Sequence, residues 1–85
     1  MEHNWMVEIY IPHTDEFVFK KELSTREKAF RTYYKEVTEI MDRFENSDKY
    51  VWYGYGSGEV QIRLLRWESM FNKWILESNF VSVVN

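Results

Sequence analysis

Ser24-Thr25-Arg26-Glu27-Lys28-Ala29-Phe30-Arg31-Thr32-Tyr33-Tyr34-Lys35-Glu36-Val37-Thr38-Glu39-Ile40-Met41-Asp42-Arg43-Phe44-Glu45 is the stretch that decides the fold. Phe30, Tyr33, Tyr34, Val37, Ile40, Met41 and Phe44 recur at intervals that keep them on one face of a helix. Glu27 with Arg31, Lys35 with Glu39, and Glu39 with Arg43 add i,i+4 pairs on the wet side. Ser24 to Glu27 has the pattern of a capping box, in which the Ser24 hydroxyl accepts from the Glu27 amide and the Glu27 side chain reaches back. No Gly or Pro interrupts Thr25 to Glu45, and Asn46-Ser47-Asp48 ends the run. The stretch predicts a helix of about six turns.

Upstream, Trp5, Val7, Ile9 and Ile11 alternate with Met6, Glu8 and Tyr10, the period of two of a strand with one buried face. Pro12-His13-Thr14-Asp15 carries turn chemistry. Glu16 to Glu22 then reads as the return strand of a hairpin. Downstream, Lys49 to Tyr55 has strand composition, Gly56-Ser57-Gly58 is a turn, and Glu59 to Arg66 alternates with Val60, Ile62 and Leu64 on one side, which predicts a second hairpin. Trp67, Met70, Phe71, Trp74 and Ile75 fit a second, short helix; the same stretch also fits an aromatic-rich strand in a meander, because short apolar runs do not discriminate. Phe80 to Val84 reads as a last strand. The expected fold is a two-layer α+β sandwich, a mainly antiparallel sheet of four or five strands under one long helix, in the order ββαββ(α)β.

The size, 85 residues and 10.5 kDa, fits a single domain spanning residues 1–85. Aromatic residues make up 19% of the chain, enough large side chains to build a core, so disorder is not expected. Zero Cys excludes a disulfide framework, a thiol nucleophile and any Cys-based metal site. No apolar run has membrane-spanning length, and Met1-Glu2-His3-Asn4-Trp5 lacks the start of a signal peptide, so a cytoplasmic protein is expected. The net charge is −3, which counts against non-specific nucleic-acid binding. The charge is uneven: residues 1–48 hold seven basic and eleven acidic groups, residues 49–85 four basic and three acidic.

Catalytic chemistry finds little to work with. Gly54-Tyr55-Gly56-Ser57-Gly58 matches neither the dinucleotide fingerprint nor the phosphate-binding loop. A metal site would have to combine His3 with His13, Asp15 and Glu16, a set that reads better as a solvated turn. Ser24, Ser47, Ser57, Ser69 and Ser78 fall where caps and turns are expected, and neither His has a spacing that implies pairing with one. The reading is a non-enzyme without metal or cofactor.

Two features remain as candidate binding surfaces. In the aromatic segment 50–55, alternation sends Tyr50 and Trp52 to one face and Val51, Tyr53 and Tyr55 to the other. Only one face can meet the helix, and Arg63 joins the aromatic residues from the next strand. Trp52, Tyr53, Tyr55 and Arg63 are therefore the candidate contact patch for a protein partner. The second feature is the ridge Glu36, Glu39, Asp42 and Glu45, whose charge opposes the helix dipole and suits a partner with a basic surface. The bland readings are a second small core and a solvated helix face. Compact, acidic, Cys-free domains of this style occur among viral and mobile-element proteins that block a host nuclease, toxin or CRISPR effector, and an inhibitor of that kind is the leading expectation. The alternatives are a single-stranded RNA or DNA binder using Tyr53, Tyr55, Arg63 and Arg66, and a homodimer that closes the aromatic face on itself.

Overall fold

Alternation in Trp5–Ile11 becomes strand β1, the centre of the molecule. The computed structural model describes residues 3–46 and 58–84. After β1 come β2 (Glu16–Leu23), α1 (Arg26–Asn46), β3 (Gly58–Glu68) and β4 (Lys73–Val84). The strands form one antiparallel sheet in the order β2-β1-β3-β4. The fold is thus an α+β sandwich of the expected class, with a four-stranded sheet and one helix among the described residues.

Helix α1 covers one face of the sheet. Val7, Ile9 and Ile11 of β1, Val60, Ile62 and Leu64 of β3, and Leu23 of β2 pack with Ala29, Tyr33 and Ile40 of the helix, all buried. Fully burying each large aliphatic side chain contributes roughly 1.5–3 kcal/mol. Trp5 meets Phe30 at a ring separation of 6.2 Å, and the Ser78 hydroxyl donates to the Tyr33 hydroxyl at 3.1 Å, which ties β4 to the helix. The helix starts one residue later than the expected capping box. Thr25 is the cap: its Oγ1 accepts from the Lys28 amide at 3.2 Å and its carbonyl from the Ala29 amide at 3.0 Å. With Thr25 at the cap, Glu27 is one position short of reaching back, and it pairs with Arg31 at 3.3 Å instead. Tyr34 and Met41, expected on the packed face, are 59% and 46% exposed. The apolar arc is wider than the face that the sheet covers.

No second helix forms over Trp67 to Ile75. Trp67 to Ile75 is the end of β3, a four-residue turn and the start of β4, so the meander reading holds there and the order is ββαββ. A hairpin explains the misleading spacing. Trp67 and Trp74 are directly opposite in the ladder and stack edge to face at 5.4 Å, with Met70 and Phe71 in the turn between them. The second hairpin is consequently β3 with β4, and the two edges of β3 are taken by β1 and β4. The strand expected at 49–55 lies outside the described residues.

Both hairpins close in the same way. Four residues separate the last pairs, Ile11 with Glu16 and Glu68 with Lys73. The fourth loop residue has positive φ in each, Asp15 at 55° and Asn72 at 52°. Asp and Asn are the non-glycine residues that accept this left-handed conformation best.

Candidate functional site

The face of the sheet opposite α1 carries Met6, Glu8 and Tyr10 from β1, beside Leu65, Arg63 and Gln61 of β3, their direct ladder partners. Sequence alternation assigned this side of β1 to the unburied face, yet Met6 and Glu8 are buried. β1 is flanked on both sides, so side chains of β2 and β3 lie against it at cross-strand distance. Glu8 sits between Arg63 at 3.6 Å and Lys20 at 3.9 Å, too far from either for a short charge-assisted hydrogen bond. Burial pushes its carboxyl above the ordinary value, while the charges of Arg63 and Lys20 pull it down.

Aromatic rings extend this charged centre toward the first hairpin's tip. The Arg63 guanidinium lies 5.2 Å from the Tyr10 ring, Tyr10 packs on Phe17 at 4.8 Å, and Lys20 lies 4.5 Å over Phe17. The Tyr10 hydroxyl donates to Asp15 at 2.6 Å, and this bond to the carboxylate holds its pKa above the usual value. Asp15 therefore sets the turn and anchors the aromatic pair. Arg63 is a centre of this network, so it is less available to a phosphate than the nucleic-acid reading requires.

At the other end of the same face the surface turns apolar. Leu65 faces Leu76, and Trp67 faces Trp74. The hairpin then runs on toward its tip; among the described residues the Trp67 amide makes the last backbone bond toward the β1 side, to the Asn4 carbonyl at 2.7 Å. Arg66 clamps the stem, donating from Nε to Glu77 at 2.6 Å and from Nη1 to Glu68 at 2.8 Å. The bond from Arg66 and a second from the Met70 amide hold the Glu68 carboxyl below the ordinary range. On this braced stem stand Met70 and Phe71, 82% and 63% exposed.

Of the sequence-derived candidates, Trp52, Tyr53 and Tyr55 lie outside the described residues. Arg63 is on the helix-free face as expected. Glu36 and Glu39 are on α1 and half-buried, and the side chains of Asp42 and Glu45 lie outside the description. Sequence reasoning missed the Met70–Phe71 tip because it placed both residues on a short helix or an aromatic-rich strand, not in a turn. The signal was present in Trp67-Glu68-Ser69-Met70-Phe71-Asn72-Lys73-Trp74, where Trp faces Trp and Glu faces Lys across a loop ending in Asn. Among the described residues no three His, Asp or Glu side chains converge to hold a metal ion. No helix among them is long and apolar enough to cross a membrane. Comparison with protein-family models, with curated proteins and with solved structures finds no match to this chain.

Proposed function

We propose that this chain is a non-enzymatic protein-binding module that inserts the Met70–Phe71 hairpin tip into an apolar pocket of another protein. The observation that carries the reading is the exposure of those two side chains on a stem braced by Arg66, Glu68, Glu77 and the Trp67–Trp74 pair. Burial of two such side chains supplies roughly 1.5–3 kcal/mol each, the size of an interface hot spot. A braced stem limits the ordering cost on binding. The same area is too small to hold a membrane without a basic patch, and the charges around the tip cancel: Arg66 and Lys73 against Glu68 and Glu77. A protein pocket suits that neutrality better than an anionic surface.

The test places a photo-crosslinking amino acid at position 71, recovers the attached protein, purifies it and titrates it with variants. Met70→Ser and Phe71→Ser are expected to weaken binding about tenfold or more while leaving the unfolding midpoint unchanged. His13→Ser, on the opposite tip, is expected to leave affinity intact. Equal affinity for wild type and both tip variants would overturn the proposal. Cross-linking to lipid alone would replace the protein pocket with a membrane surface.

A further inference from the structure

The sheet has two edges of different chemistry. The β2 edge holds Glu16, Lys20, Lys21 and Glu22 within eight residues, and its ladder to β1 is interrupted where Val18 has no opposite partner. Charges and irregularities of this kind are the usual means of blocking edge-to-edge association. The β4 edge runs for twelve residues, and from Ser78 to Val84 it contains no charged residue and no Pro. Val81, midway along that uncharged part, is 45% exposed. Among the described residues no strand pairs with the outer side of β4, and a long uncharged edge strand is a template for another strand.

We infer that the β4 edge pairs with the β4 edge of a second copy of this chain, antiparallel about a two-fold axis through the Val81 pair. In that register Phe80 stands opposite Ser82 of the other copy and Asn79 opposite Val83, so no like charges oppose each other. Glu77 and Lys73 fall outside the uncharged window. The axis is perpendicular to the sheet, so the product is one continuous sheet with both helices on the same side. A two-fold interface requires a self-complementary surface, and Ser78–Val84 meets that requirement where the charged β2 edge does not. The contact leaves the Met70–Phe71 tips at the outer ends of the assembly, so it stands independently of the tip proposal.

The experiment is sedimentation equilibrium of the full chain over a concentration series. Wild type is expected to show a monomer–dimer equilibrium. Val81→Lys places like charges at the axis and is expected to weaken the dimer at least about tenfold, whereas Val81→Thr keeps it. Mixing Val81→Lys with Val81→Glu is expected to restore a dimer of the two variants, a result that only pairing near position 81 produces. Phe71→Ser is expected to leave the dimer intact, which separates this contact from partner binding. Circular dichroism confirms that each variant is folded, and Ser82→Pro serves as a second edge blocker. A wild-type chain that stays monomeric throughout, or a dimer indifferent to both Val81→Lys and Ser82→Pro, would overturn the inference.

Discussion

The two hairpins of this molecule close with the same four-residue loop and the same left-handed fourth residue, yet they end in opposite chemistry. One tip is Pro12-His13-Thr14-Asp15, polar and tied back to the sheet through Asp15 and Tyr10. The other is Ser69-Met70-Phe71-Asn72, whose two central side chains stand in solvent. Turn geometry needs only the Asp or Asn, so the loop conformation leaves Met70 and Phe71 unexplained. The first hairpin is an internal control for the second, and it shows that the apolar tip is a separate feature laid over an ordinary turn.

The strongest way to probe the comparison is to contrast centre with tip. Ile9→Ala or Ile62→Ala, at fully buried positions where the two hairpins meet, is expected to cost about 2–5 kcal/mol in urea unfolding. Phe71→Ser is expected to stay within about 0.5 kcal/mol of wild type. A large loss from Phe71→Ser would make the tip part of the core and end the contrast.

Equivalence of the loops is tested at their fourth residues. Asn72→Ala and Asp15→Ala each place a less tolerant residue at positive φ, at a cost of about 1–2 kcal/mol. Asp15→Ala is expected to be the worse of the two because it also removes the Tyr10 hydrogen bond. Gly at position 72 is expected to restore full stability, while Gly at position 15 restores the turn only. Equal recovery at both sites would show that the Tyr10–Asp15 bond contributes nothing.

The smallest effect is electrostatic, and the two hairpins give it opposite signs. Glu8 has its pKa raised in the fold, chiefly by burial, so its favourable contribution is complete below the unfolded value and disappears as pH rises through the folded one. Glu68 has its pKa lowered by Arg66 and the Met70 amide, so its contribution is present above the unfolded value and disappears as pH falls through the folded one. Stability measured against pH is expected to flatten at the upper side of the carboxylate range in Glu8→Gln and at the lower side in Glu68→Gln. Identical pH profiles for the two variants would contradict these assignments.

How far the sequence could be read follows from how local each signal is. The helix and the first hairpin rest on spacings and turn residues within one segment, and both formed within about a residue of where expected, the cap moving from Ser24 to Thr25. Trp67 to Ile75 did not, because pairing across a tight turn brings Trp67 and Trp74 together as surely as a helix face would. Deciding between them depends on β4 finding β3, a contact that periodicity does not encode. The burial of Glu8 was equally hidden. Alternation along β1 shows two faces, but which neighbours flank the strand depends on the order β2-β1-β3-β4. For the site, Arg63 was legible as a polar group on the helix-free face; the exposed tip was not, since Met and Phe read as core residues until their place in a loop is known.

The seam between β1 and β3 has a consequence for how quickly the chain can fold. Trp5 pairs with Arg66, about sixty residues away, whereas each hairpin and the helix close locally. Among the described pairings the seam therefore carries the largest loop-closure entropy, and its formation is expected to limit the folding rate once the local pieces exist. Ile9 and Ile62 meet across that seam, so shortening either side chain is expected to slow folding, while loosening the β3–β4 tip is expected to change only how fast the hairpin end frays.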